Sequence, residues 1–356
     1  MKKHNFSAGP AILPEEVIHG ASKAVHELDN IGLSLIEISH RSAEFKGIMD
    51  EACTLSLKLL GLEGKGYQAM FLQGGASMQF LMTAYNLLEN KSGYVNSGTW
   101  STKAIKEAKL LGEILELASS KDQNFNYIPK GYDIPNDLDY LHITTNNTIF
   151  GTQYQSIPET DVPLVADMSS DIFSRPFDYS KFDMFYAGAQ KNMGPSGVTL
   201  VVIKESSFNK VSRTIPSMLN YEVQSNAGSM FNTPPVFPVY TVLLNLRWIE
   251  KKGGLDGVGA QNSEKAALIY DEIDRNPLFA GFAQSEDRSN MNATFNLNDE
   301  SHTELFDTLW NEANISGLKG HRSVGGYRAS IYNALPIQSI QVLVDCMQQL
   351  EKKVIQ

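Results

Sequence analysis

Lys191 carries the sharpest chemistry in the chain. It stands in FYAGAQKNMGPSGVTLVVI, just after an apolar run that reads as a strand and before a Gly-Pro-Ser-Gly turn. A lysine at a rigid strand end, flanked by small residues, can enter a cleft and condense with an aldehyde. Most loop lysines are merely solvated, so the surroundings decide. Twenty-four residues earlier, PLVADMSSD ends another apolar run on Asp167. Open α/β sheets bind ligands at the carboxyl ends of their strands, where this carboxylate lies. Alone it reads equally well as a turn cap. Paired with the lysine it suits pyridoxal-phosphate chemistry, in which an aspartate keeps the pyridine nitrogen protonated and the ring draws electrons from the substrate's α-carbon.

Further candidates follow other strand-like runs. FLQGGASMQFLMTAYNLL is a strand, a tight glycine turn and a helix. Free N–H groups at such a helix start carry partial positive charge, so Ala76 and Ser77 can hold a phosphate. Neither a Walker element nor GxGxxG spacing is present. Trp100 opens the next helix, where its indole either stacks on a flat ring or packs as core; spacing leaves both readings open. Thr148 in HITTNNTIFG can hydrogen-bond a phenolic oxygen. Strand ends thereby deliver phosphate cradle, stacking ring, carboxylate and lysine to one edge.

The elements that must position these groups alternate. YQAMFL, GYVN, EILELA, LDYLHI, PLVAD, FDMFYA and GVTLVVI read as strands, and EEVIHGASKAVHEL after Pro14 as a helix. TWSTKAIKEAKLLG reads as a helix stopping at Gly112. This α/β alternation predicts a mostly parallel central sheet covered on both faces, followed by a smaller α+β unit. PPVFPVYTVLLNLRWIEKKGG predicts a helix ending at Gly253 and Gly254, with another from roughly Ser263 to Arg275 and a closing helix after Pro336. The boundary falls near residue 255: a large cofactor-binding domain over 16–255, and a small domain from 1–15 with 256–356.

With 356 residues, 42% apolar and 20% charged, the chain has an ordinary globular composition. Its net charge of −10 argues against nucleic-acid binding, so any anionic ligand needs a local cluster of cations. Cys53 and Cys346 form neither a disulfide framework nor a metal pattern. MKKHNF does not read as a signal peptide, and no apolar run suggests a membrane span. The expected compartment is the cytoplasm.

Together these stretches resemble the phosphoserine aminotransferase family of fold-type-I pyridoxal-phosphate enzymes, over nearly the whole chain. The resemblance rests on NFSAGPAILP, SHRS, QGGASMQF, NSGTWS, NNTIFGTQ, VADMSSD, GAQKNMGPSG, FNTPPVFPVY and GGYRASIYNA, in family order. It implies that Lys191 carries pyridoxal 5′-phosphate and shuttles a proton, that Asp167 pairs with the ring nitrogen, that Trp100 stacks, and that Thr148 reaches the phenolic side. Gln190, Ala76 and Ser77 would hold the phosphate, joined by Asn232 and Thr233 from a neighbouring subunit, so a homodimer is implied. Arg328 would grip the substrate α-carboxylate. His40 and Arg41, across the dimer, and His321 would face a phosphate or the glutamate side chain; Arg322 is a further candidate cation for the substrate that reads equally well as a surface arginine. The implied reaction moves an amino group from glutamate to 3-phosphohydroxypyruvate, with the four-carbon phospho-oxoacid of vitamin B6 synthesis as a second substrate. The chain departs from some members in having Ser77 where they have an arginine, and Ser7-Ala8 where they have two serines.

Three alternatives compete. An aminotransferase for unphosphorylated serine, alanine or glyoxylate would not need so many cations beyond Arg328. A desulfurase needs a mobile, activated cysteine, whereas Cys53 and Cys346 both sit in amphipathic helical stretches. A cofactor-binding regulator would carry a DNA-binding domain, for which this acidic chain offers no segment.

Overall fold

The computed structural model describes residues 2–355. Seven strands form the central sheet: β1 Tyr67–Leu72, β2 Lys91–Asn96, β3 Glu113–Ser119, β4 Leu141–Thr144, β5 Leu164–Asp167, β6 Met184–Gly188 and β7 Thr199–Lys204. Their spatial order is β1-β7-β6-β5-β4-β2-β3. Only β7 runs against its neighbours, so the carboxyl ends of the other six share one edge.

Both faces of this sheet are covered around β1, β5, β6 and β7, which is why those strands are almost continuously apolar, whereas the edge strand β3 exposes Glu113 and Glu116. Phe71, Ala166, Phe185, Ala187, Leu200 and Val202 point into one core with helices α1 (Glu15–His26) and α2 (Ala43–Leu59). The alternate residues Met70, Val165, Met184, Tyr186 and Val201 meet α3 (Gly75–Leu87) and α4 (Thr99–Ala108) on the other face. The period of two places successive side chains in different cores. The short helix α5 (Tyr221–Asn226) adds Tyr221 to the second, and α6 (Val236–Lys251) adds Val239, Leu243 and Leu246 to the first.

A further core gathers Phe6 with α7 (Gly254–Arg275), α8 (Thr303–Glu312), α9 (Ile337–Ile355) and an antiparallel sheet of β8 (Phe279–Gly281), β9 (Asn292–Leu297) and β10 (Tyr327–Ser330). Helix α7 bridges two cores: Leu255 and Val258 pack in the large one, Ala266, Ile269 and Ile273 in this one.

Two helix boundaries differ most from the sequence reading. Helix α7 starts at Gly254, not Ser263, because the glycine pair is a corner and not a loop: Gly253 and Gly254 take φ of 90° and 65°, and Gly253 caps the new helix directly. Helix α4 ends at Ala108, and Lys109 to Leu111 close it with turn hydrogen bonds before Gly112.

Candidate active site

Five strand ends on the shared edge carry the candidate groups. The turn after β1 starts α3, whose N-terminus has no side-chain cap. Its first N–H groups, including those of Ala76 and Ser77, therefore remain available to an anion. Trp100 lies in the first turn of α4, after β2. Thr148 follows β4, in a short hairpin of Asn146–Asn147 with Thr152–Gln153. Asp167 is the last residue of β5, and Lys191 lies three residues beyond β6.

The Lys191 amine is buried and makes two hydrogen bonds, to Thr148 Oγ1 at 2.6 Å and Ser170 Oγ at 2.8 Å. The two hydroxyls lie 2.6 Å apart. The amine sits 5.7 Å from the Trp100 ring centroid, so the indole faces the lysine in addition to packing on its helix. Burial pushes the Lys191 amine down to about 8, the charge of Arg328 adds to this, and Asp167 and Asp171 oppose it. Asp167 is buried, and burial raises its carboxyl above the usual range against the pull of Ser169 and Lys191. Its Oδ1 accepts from the Ser169 N–H at 2.9 Å. Among the described residues no donor reaches Oδ2, which leaves that oxygen for an incoming N–H.

Behind these groups the backbone is pinned. Asn192 donates to the Ser170 carbonyl at 3.1 Å, accepts from the Asn333 N–H at 3.1 Å, and receives Asn245 on its own carbonyl at 2.8 Å. The N-terminal segment closes over the lysine stem: Ala11 N–H donates to the Gln190 carbonyl at 2.9 Å, and a Cβ on Gly9 would lie 3.4 Å from Lys191 Cγ.

Arg328 arrives from the small sheet. At Gly151, φ is 72° and an added Cβ would lie 2.7 Å from the Asn292 carbonyl, so only glycine lets the Thr148 hairpin press against β9. Asn146 seals the seam by donating to Asn292 at 2.8 Å. Arg328, opposite Thr294 on β9, then donates through Nη1 to the Thr148 carbonyl at 3.2 Å. Its Nε is buried without an acceptor, and among the described residues no carboxylate pairs with it. A half-buried guanidinium left like this suits an anionic ligand. His321 lies close enough to Arg328, Arg322 and Lys103 for their charges to help partial burial lower its pKa. Lys103 covers the Trp100 ring at 4.6 Å.

One chain does not bring every predicted group to this cluster. His40 and Arg41 precede α2 at half-exposed and exposed positions, and among the described residues their side chains form neither hydrogen bonds nor ion pairs. The Thr233 carbonyl accepts from Gln73, and Asn232 lines a cavity of about 250 Å³ behind the glycine turn with Gly74 and Met78. A second cavity, about 330 Å³ and lined by Pro129, Tyr132 and Tyr154, excludes Lys191. Convergent chemistry, not concavity, therefore marks the site.

Sequence reasoning did not single out Ser170. The run DMSSD offers two serines, and nothing local separates Ser170, on Lys191, from Ser169, whose Oγ accepts from the Gly188 N–H at 3.1 Å. It also passed over Lys265 on α7, buried and donating to the carbonyls of Ile331 at 2.9 Å and Tyr332 at 2.7 Å. No metal-binding cluster of histidine, cysteine and carboxylate side chains occurs among the described residues.

The donor set fits pyridoxal phosphate. A lysine with a lowered pKa, a buried carboxylate with one oxygen to spare, an indole face and an uncapped helix start match its aldehyde, ring nitrogen, ring and phosphate in turn.

Comparison with known proteins agrees. The class-V aminotransferase family model matches residues 3–343. A phosphoserine aminotransferase of Flavobacterium johnsoniae is 64% identical over 99% of this chain and 100% of its own length. One from Bacteroides fragilis is 54% identical, with 99% of each chain covered. The solved phosphoserine aminotransferase of Bacillus circulans subsp. alkalophilus has a TM-score of 0.96 at 44% identity over 99% of both chains. A PLP-bound one from Trichomonas vaginalis has a TM-score of 0.92 at 34% identity, covering 98% of this chain and 100% of its own.

Proposed function

The chain belongs to the class-V aminotransferase family, among its phosphoserine aminotransferases, and from this we infer that it moves an amino group from glutamate to 3-phosphohydroxypyruvate, giving O-phospho-L-serine and 2-oxoglutarate. The observation that carries the reading is the buried Lys191 amine, held by Thr148 and Ser170 beside the Trp100 ring.

Pyridoxal phosphate, once bound, supplies a protonated ring that accepts the electron pair left when the substrate's α-proton departs. Asp167 would hold the ring nitrogen and keep its proton there. Trp100 would cover one ring face, and Thr148 would donate to the phenolic oxygen. The N–H groups of Ala76 and Ser77, with Gln190, would hold the phosphate. Lys191 is a base of suitable strength for the α-proton, because a pKa of about 8 leaves a useful neutral fraction near neutral pH. Arg328 would take the α-carboxylate in a two-pronged grip, fixing the α-carbon near that amine. Arg322 would supply positive charge for the substrate's distal phosphate or carboxylate, and His321, whose lowered pKa favours the neutral ring, a hydrogen bond to it. Such charge has no purpose for the unphosphorylated substrates of the competing reading. A desulfurase is disfavoured too: burial pushes the Cys53 thiol up to about 12, and Cys346 is buried in α9.

We further propose a homodimer in which His40, Arg41, Asn232 and Thr233 complete the partner's site. Exposed apolar side chains support it, since Met78, Met218 and Phe231 all lie near Asn232 in space or sequence. We assign residues 16–255 to the cofactor-binding domain and the remainder to the smaller one, and place the protein in the cytoplasm. Both cysteines are free, and no helix among the described residues is long and apolar enough to cross a membrane.

The test is direct. Purified protein with pyridoxal phosphate, glutamate and phosphohydroxypyruvate should release 2-oxoglutarate, and hydroxypyruvate should be a far poorer acceptor. Product no greater than that of Lys191→Ala would end the reading.

A further inference from the structure

Ser170 closes a triangle with the two groups nearest the reacting amine. Its hydroxyl lies 2.8 Å from Lys191 Nζ and 2.6 Å from Thr148 Oγ1, and Nζ lies 2.6 Å from Thr148 Oγ1. The side chain is 2% exposed, so water does not compete for these bonds.

Counting protons fixes the directions. A neutral amine has two N–H donors and one lone pair, and both hydroxyl oxygens accept from it. Two directed N–H bonds leave the lone pair only one orientation, out of the triangle. The bond between the hydroxyls uses one hydroxyl proton, so the other points away. If Thr148 donates outward to the cofactor's phenolic oxygen, the inner proton must come from Ser170. Ser170 and Lys191 are also held in register by Asn192, which follows the lysine and donates to the Ser170 carbonyl at 3.1 Å.

We propose that Ser170 is a positioning residue for amino transfer: it aims the Lys191 lone pair and turns the Thr148 hydroxyl toward the cofactor. This rests on the functional reading above. Without Ser170 the amine keeps a single acceptor, its lone pair swings about the Cε–Nζ bond, and Thr148 loses the partner that sets its direction. The ammonium form loses an acceptor as well, so the lysine should release its proton more readily.

Two variants test this, Ser170→Ala and the slightly larger Ser170→Cys, which keeps the side chain's shape but has a thiol that is a weak acceptor. Apoenzyme of each is mixed with pyridoxal phosphate across pH, and the growth of the visible band is followed. The expected midpoint of cofactor capture moves down by about one pH unit in both variants, from the lost hydrogen bond to a charged group. In single turnovers of the loaded enzyme with glutamate, the rate should fall about tenfold with half-saturation within about twofold, the pattern of a lost transition-state interaction. Ser170→Ala added to Thr148→Val should cost less than it does alone, because the two hydroxyls act as one unit.

Unchanged midpoint and turnover in both variants, or full additivity with Thr148→Val, would overturn the proposal. Wild-type protein reduced with borohydride serves as the control. A label on Lys191 together with wild-type behaviour of both variants would sink the role of Ser170 alone. No label on Lys191 would sink the functional reading along with it.

Discussion

Replacing Arg328 with methionine should separate substrate recognition from folding. The guanidinium uses one donor on the Thr148 carbonyl at 3.2 Å, while its buried Nε has no acceptor. A carboxylate gripped there would gain two charge-assisted hydrogen bonds, each worth about 1.5–3 kcal/mol. After allowance for desolvation, roughly 3–4 kcal/mol should be lost on truncation, a fall of about 10²–10³ in kcat/KM. Glutamate half-saturation should carry much of the loss, since the carboxylate is bound in ground state and transition state alike. Stability should move the other way. Burial already works against the charge of Arg328, which lowers its pKa, and no carboxylate among the described residues compensates. The apoprotein of Arg328→Met should therefore melt at the same temperature or higher. Arg328→Lys should recover part of the affinity, because it keeps the charge but loses the planar fork. The assay is single-turnover absorbance with glutamate, alongside thermal melts of the apoprotein. An Arg328→Met enzyme within about threefold of wild type in kcat/KM would refute the assignment. So would a loss confined to kcat.

Two further outcomes follow from buried charges. Lys265 titrates at about 7 in the folded chain against 10.5 normally, because of burial. The unfolded state thus binds the extra proton between those values, and stability rises with pH across that window. Chemical denaturation of the apoprotein at pH 7 and pH 9 should show wild type gaining ~2 kcal/mol over Lys265→Met; an unchanged difference would mean that burial without a counter-ion does not hold this lysine's pKa down. Asp167→Asn should fold as stably as wild type, since a neutral amide replaces a carboxylate that burial disfavours, yet slow the glutamate half-reaction by about 10²–10³. A half-reaction left at wild-type speed would remove Asp167 from the ring nitrogen.

Much of this protein was legible without coordinates. The apolar runs PLVAD, FDMFYA and GVTLVVI became β5, β6 and β7 because a strand buried on both faces must be apolar throughout, and that pattern fits within a few residues. The glycine turn before α3 and the lysine just past β6 were equally local, since turn chemistry and strand ends are written in short windows. Convergence was not local. Ser170 and Ser169 are neighbours of one type, and only the path of the turn after β5 decides which meets Lys191 and which meets Gly188. Arg328 reaches Thr148 across 180 positions because Gly151 lets a hairpin touch a strand of another sheet. Lys265 looked like any helical lysine until α7 was packed between two cores. Periodicity and turn preference are properties of adjacent residues, whereas the meeting of distant side chains depends on strand order and close packing, which exist only after the chain has folded.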